Sequence, residues 1–500
     1  MPAAAEPAAS REDLLTLIAV LREQNVALAQ RCAGLEEQVV LLETQNEQLT
    51  VANERLTARV AELERRLDRN SKNSNFPPSQ DVFGLPKDET AAKPRPVGRR
   101  GKPKGAPGAG LAMVEKPDHV QDHRPGACPD CGEVLDGAPS AGFARRQVSD
   151  VPLATVQVTE HRLHRVRCDC GRLTTAEAPD LLAGSPTSYG PNLRALAAYL
   201  LVHQHVPVER AAQLIADLTG ARVSTGWVSS VLEQASGLVQ PSLDLIRALL
   251  VLGHVLHADE TTTRIGSRRR WLHVACTEKL TLLGLAPRSR EGANSLRVLP
   301  GFRGTLVHDS LSLYAGYRDA DHQLCGAHLV RELTAAEQDH PKQKWQQQIR
   351  WSLAGLNRQA RRVRSGEAAE ITPEAGLFYQ RHYHQGVAAG LALHPRAEGR
   401  KQPPARNLLE RLRDQAGDVL RFADHPKQVP FTNNDAERAL RPVKTQVKIS
   451  GCHQSEHGAA AWLAVRSYLD SARKHGLSAF EAIHRAFTGN LWMPPIALTG

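Results

Sequence analysis

Two aspartates and one glutamate stand where short β-rich or helix-like runs begin or end. VLGHVLHADET brings Asp259 to the close of one run, and GTLVHDS brings Asp309 to the close of another. FTNNDAERALRPVK puts Glu437 in the first turn of a predicted helix. Acids at the ends of adjacent strands, with a third on a neighbouring helix, can bracket two Mg²⁺ (or Mn²⁺) ions about 3.5–4 Å apart. Such a pair activates a water or a 3′-hydroxyl and stabilises the leaving oxygen in an in-line phosphodiester displacement. Each acid also has a plainer reading. Asp is common at strand ends, and Glu437 follows Asn434 by three residues, as in a capping box.

Sulfur supplies a second set of ligands. Of eight cysteines, Cys128/Cys131 and Cys168/Cys170 form close pairs. Cys-x-x-Cys followed by Gly describes a knuckle turn, whereas Cys168-Asp169-Cys170 is one residue shorter than that spacing. The pairs lie 168 − 131 = 37 residues apart, joined by the alternating run VQVTEHRLHRVR, which predicts a zinc ribbon-like module over 118–180 holding a structural Zn²⁺. His161 or His164 could replace one ligand, and four reduced, partly buried thiols remain the alternative. MPAAAEPAAS lacks the basic start and apolar core of an export signal. The expectation is a cytoplasmic, nucleoid-associated protein whose cysteines prefer metal to disulfides. Cys325 and His328 flank Gly-Ala after another predicted strand, which reads first as a buried Cys beside a hydrogen-bonded His.

The elements that must carry these groups differ sharply along the chain. Five hundred residues exceed one core, so the fold class is multidomain. Leucine recurs every seventh residue from Leu14 to Leu63, with Asn25, Asn46 and Asn53 on the companion seam. Over 1–68 this predicts a parallel coiled coil about 75 Å long that makes a homodimer or a higher oligomer, the Asn positions favouring the dimer. Residues 69–117, rich in Pro, Gly and basic side chains, read as a disordered linker able to touch phosphates. Over 181–250, VERAAQLIADLTG, a short break and TGWVSSVLEQA suggest a helix-turn-helix. Ser224 or Thr225 would cap the second helix, and these residues with Trp227 would lead it into a DNA groove. Beyond Glu437, Arg438, Arg441, Lys444 and Lys448 could line a phosphate path or form a solvated face, and Pro442 should kink or end their helix. With 63 basic against 53 acidic residues the chain carries +10, which favours a polyanionic partner only weakly. No apolar run reaches 18 residues, so no membrane partner is expected.

HADET (257–261), HDSLSLY (308–314), CGAH (325–328) and NNDAERALRPVKTQVKISG (433–451) together resemble the signature blocks of the insertion-sequence-sixty-six family of transposases. The order of parts is similar too: coiled coil, an SKNS…PPS…D linker, a Cys-rich segment, a helical DNA-binding region and a split core. The resemblance implies an RNase H-like α/β core over 251–332 and 430–500, with Asp259, Asp309 and Glu437 as its catalytic, metal-holding triad. It implies cleavage and strand transfer of element ends, with double-stranded DNA (terminal inverted repeats and target) and accessory proteins of the same element as partners. It gives Cys325 and His328 a role supporting the acids. Between Asp309 and Glu437 lie 437 − 309 = 128 residues, more than such a core needs, which predicts a helical insertion over 333–429. The block departs from the family where Thr262 and Thr263 replace Pro and Trp, and in DSLSLY, although Tyr314 keeps its place. A DNA-binding relic without catalysis and a structure-selective nuclease of the same core are the competing readings.

Overall fold

The structure, a computed structural model, describes residues 11–67, 111–151, 154–182 and 185–496. Most of the expected basic linker therefore lies outside the described residues. The chain divides into two compact units, Met1–Gly84 and Leu85–Gly500.

In the first unit, α1 (Arg11–Leu67) is one helix of 57 residues. Leu, Glu, Gln, Arg and Ala dominate it and no proline interrupts it, so local propensity favours the helix throughout. Its heptad leucines from Leu21 to Leu63 are 43–63 % exposed in the single chain. Among the described residues of its unit nothing covers that apolar stripe.

The second unit begins with the cysteine segment. β1 (Arg165–Arg167) and β2 (Leu173–Thr175) pair antiparallel around Cys168-Asp169-Cys170-Gly171. Four helices follow: α2 (Pro191–Val202), α3 (Val208–Thr219), α4 (Thr225–Leu238) and α5 (Gln240–Val251). Ser224 caps α4 by accepting the Trp227 N–H at 3.1 Å, which leaves Thr225 as the first helical residue.

A five-stranded sheet comes next. It comprises β3 (Val255–Ile265), β4 (Arg268–Cys276), β5 (Thr281–Leu285), β6 (Thr305–His308) and β7 (Asp321–Leu324), in the order β5-β4-β3-β6-β7. β3, β4 and β5 form an antiparallel meander, while β6 and β7 run parallel to β3. The short helix α6 (Arg290–Ser295) lies between β5 and β6.

From β7 the chain enters α7 (Gly326–Asp339), α8 (Trp345–Arg364), α9 (Pro373–Leu393), α10 (Pro404–Asp414) and α11 (Ala416–Asp424). These helices enclose an apolar core of their own, with Leu329, Trp345, Leu353, Tyr383, Leu409 and Phe422 at its centre. α12 (Asn434–Ser450), α13 (Glu456–Lys474) and α14 (Ala479–Phe487) return the chain to the sheet. Helices α2–α5, the sheet and α12–α14 share the other core.

The outer edge of β5 would expose unpaired backbone groups. α13 covers it with two buried serines. Ser467 Oγ accepts the Leu283 N–H at 2.9 Å, and Ser471 Oγ accepts from Thr281 N at 2.9 Å while donating to its carbonyl at 3.2 Å.

Two local expectations need correction. Asp259 does not close its strand: β3 runs six residues further, because Thr261–Ile265 is β-branched enough to pair with Arg268–Leu272 across the Gly266-Ser267 turn. Pro442 does not end its helix either. α12 continues to Ser450, since Ala436, Ala439, Leu440, Val443 and Gln446 are buried on both sides of the proline. That packing outweighs a helix-interior proline cost of about 3 kcal/mol.

Candidate active site

Register decides what Asp259 faces. β3 pairs with β6 at Leu256–Leu306 and His257–Val307, and pairing stops there. Two residues on, Asp259 and Asp309 lie beside each other, just beyond the C-terminal end of the parallel pair. α12 packs across β3, and its first turn carries Glu437.

Charge is concentrated here. Burial, then the Glu260, Asp309 and Glu437 charges, push the Asp259 carboxyl up to about 8, despite a 2.8 Å hydrogen bond from the Glu260 N–H. Asp309 is raised to about 6 by burial and by Glu260, offset by the Leu311 N–H and Arg288. Glu437 meets Arg331 at 3.4 Å. Glu260, the adjacent acid, already has both oxygens engaged. Its side chain is 3 % exposed, accepts from Arg288 at 2.8 Å and receives the Tyr314 hydroxyl at 2.8 Å. Arg288 in turn lies 4.5 Å above the Trp271 ring.

The three carboxylates do not converge on a point: among the described residues their oxygens form no cluster spanning under 4.8 Å. Two cations about 3.5–4 Å apart, each about 2.1 Å from its oxygens, span roughly 8 Å, so convergence is not required. Half-buried carboxylates that repel one another, with oxygen donors only, are a donor set suited to hard divalent cations.

Asn433 holds the parts together, and sequence reasoning passed over it. It is the N-cap of α12, yet its side chain makes no capping bond, so the capping-box reading of Glu437 falls away. Instead Nδ2 donates to the Ala258 carbonyl at 2.8 Å, and Oδ1 accepts from the buried His257 Nδ1 at 2.9 Å. Its backbone N–H points to Cys325 Sγ at 3.2 Å. One residue thereby ties β3, α7 and α12 at the point where each delivers an acid or a sulfur. The repeated Asn in NNDAER was the available signal.

Cys325 is fully buried as the N-cap of α7, and His328 sits in that helix's first turn. The expected hydrogen bond to His328 is missing at Nδ1, which is buried without a partner. Gly326 is forced by close approach. A Cβ there would stand 2.1 Å from the Phe431 ring, and its N–H bonds the Phe431 carbonyl at 2.8 Å. Gly326→Ala should cost about 1–3 kcal/mol. The melting temperature should fall by roughly 3–10 °C, and an unchanged melt would show that the Phe431 ring moves freely.

The zinc-type pairs are built as two knuckles. Gly132 N–H bonds the Cys128 carbonyl at 2.9 Å, and Gly171 N–H bonds the Cys168 carbonyl at 2.8 Å, both glycines with positive φ. The second turn therefore closes one residue earlier, which accommodates the shortened spacing. Backbone N–H groups, from Cys131 to Cys128 and from Cys170 to Cys168, hold the first thiol of each pair below its ordinary pKa. That favours the thiolate a zinc ion requires. The two pairs are not gathered into one four-sulfur cluster among the described residues.

The groups expected to meet DNA are distributed differently. Ser224 spends its hydroxyl on the α4 cap, Thr225 is exposed, and Trp227 packs its ring 4.6 Å from Tyr189. Arg438, Arg441, Lys444 and Lys448 recur at helical spacing on one side of α12. Arg438 also pairs with Asp435 at 3.5 Å. No helix among the described residues is long and apolar enough to cross a membrane.

Three comparisons with known families bear on the chain. The profile described as Transposase IS66 family matches residues 186–461, more than half of the chain. The zinc-finger binding domain of transposase IS66 matches residues 125–171, and a family of unknown function, DUF6444, matches residues 4–112. No curated protein matches the chain. With the Cys-knuckle segment under one profile and the region from α2 into the first turns of α13 under the other, the chain belongs to the IS66 family of transposases.

Proposed function

We propose that the chain cuts and joins DNA ends as a DDE-type transposase, with Asp259, Asp309 and Glu437 holding two Mg²⁺ (or Mn²⁺) ions. The β3–β6 register carries this reading, because it sets two half-buried, repelling aspartates on neighbouring strands against which α12 packs. An antiparallel three-strand meander followed by two parallel strands supports an RNase H-like core, with α7–α11 inserted before its last acid. Bound cations would activate the attacking water or 3′-hydroxyl and stabilise the leaving oxygen. The protein's own residues prepare for this. Arg288 and Tyr314 occupy both oxygens of Glu260 and leave the Asp259 and Asp309 carboxyls to take the cations, Arg331 restrains Glu437, and Asn433 locks α12 onto β3.

The remaining parts fit the same reading. Cys128, Cys131, Cys168 and Cys170 would hold a structural Zn²⁺; thiolates that repel until a metal joins them couple metal binding to folding of this segment. α3 and α4 would act as a helix-turn-helix, with Ser224 and Thr225 at the leading end of α4 and Trp227 anchoring it. Arg438, Arg441, Lys444 and Lys448 would follow phosphates of the terminal inverted repeats or of target DNA. Accessory proteins of the element would complete the assembly.

The exposed leucine stripe of α1 would close a parallel homodimer and so bring two DNA ends together. Removing residues 1–68 should convert a dimer into a monomer in sedimentation equilibrium while weak DNA binding persists. An unchanged mass would refute the zipper. The full-length protein, incubated with its own element ends, accessory proteins and Mg²⁺, should nick and join them. Absent cleavage under those conditions would leave a DNA-binding relic, and metal-independent cleavage would overturn the two-cation reading.

A further inference from the structure

Glu437 has neighbours that a purely oxygen-lined site would not need. Among the described residues, one trio of potential ligands lies with all its atoms within 4.8 Å of one another: Cys325, His328 and Glu437. We infer that these three residues form a separate transition-metal site, taking a borderline divalent cation of the Zn²⁺ class through sulfur, imidazole nitrogen and one carboxylate oxygen.

Several independent features point the same way. His328 Nδ1 is buried with no hydrogen-bond partner, an arrangement that costs free energy unless something fills it. The sulfur is aimed by backbone N–H groups of Asn433, His328 and Ala327. Those donors orient it and partly offset the burial that pushes the Cys325 thiol up. Cys325 and His328, three apart across the start of α7, present their ligands on one side of the helix. Gly326 pressed on Phe431 fixes that turn, and Arg331 at 3.4 Å steadies the carboxylate. Three mixed N/S/O ligands suit Zn²⁺ or Co²⁺ and disfavour Mg²⁺, which takes oxygen.

This site is chemically distinct from the Asp259–Asp309 pair but shares Glu437 with it. On the reading of Glu437 as a catalytic acid, a thiophilic ion bound here withdraws that carboxylate, so zinc and cleavage compete.

The test is metal stoichiometry of the full-length, reduced protein, read first as zinc content and then with Co²⁺ as a spectroscopic probe. Cys325→Ser and His328→Ala should each lose one equivalent of metal relative to the wild type. Cys128→Ser should lose a different one, so that the losses add in the double variant. Asp259→Asn should keep the full count. The Co²⁺ complex of the site should show one sulfur-to-metal charge-transfer band that vanishes in Cys325→Ser. An unchanged count in His328→Ala that melts as the wild type does overturns the inference, and that variant decides the matter if Cys325→Ser does not fold. Because the readout is a count of bound metal, it stands whether or not the wild type cleaves DNA, and failure of cleavage leaves it intact.

Discussion

Asp259→Asn should abolish metal-dependent cleavage of element ends, by several orders of magnitude, while binding of end-containing DNA stays near the wild-type level. Asparagine keeps the shape of the side chain but removes the charge that would hold a cation. The phosphate and groove contacts proposed for α4 and α12 come from other elements. Glu260→Gln is the comparison that gives this result meaning. Its amide oxygen can still accept from Arg288, while its NH₂ faces the Tyr314 hydroxyl as a donor where the carboxylate accepted, so the site should lose some stability yet keep its dependence on Mg²⁺. Cleavage that survives in Asp259→Asn and vanishes in Glu260→Gln would move the metal ligand one residue along β3, to the side chain now tied to Arg288.

Asn433→Leu should have the second-largest effect, and on stability as well as activity. Leucine fills a similar volume but leaves the Ala258 carbonyl and His257 Nδ1 buried without partners. Two such losses cost about 2–5 kcal/mol, which should lower the melting temperature by roughly 5–15 °C. Cleavage should fall with it, because Ala258 and His257 are the residues immediately before Asp259. A variant with wild-type melting and wild-type cleavage would show that α12 is held on the sheet by its apolar face alone.

How much of this was readable without coordinates differs by residue type. The acids and the Cys-x-x-His step stood out because few side chains can do their chemistry, and their short-range context (strand end, helix start) is a local property. The long heptad repeat was equally plain, since a period of seven needs no tertiary information. The length of β3 was not, because Glu260-Thr261-Thr262-Thr263 is polar enough to pass for a turn until its partner β4 is seen. Asn433 was hidden for a different reason. Its hydrogen bonds reach His257, 176 residues away, and Ala258, 175 away, and no pattern in the sequence encodes a partner at that separation. The serines of α13 that seal β5 are likewise unremarkable as letters and become meaningful only against the edge they cover.

The placement of α7–α11 between the second and third acids has a consequence in time. Asp309 and Glu437 are separated by 437 − 309 = 128 residues. At roughly 5–20 residues per second of synthesis, Glu437 follows Asp309 off the ribosome by about 6–26 s. During that interval β3, β6 and the five helices with their own core can already be folded, yet the acidic site lacks one wall. α13, which seals the β5 edge, emerges later still. A nascent chain thus carries Asp259 and Asp309 well before Glu437, and on the proposed reading it would become competent to cut only once α12 has followed.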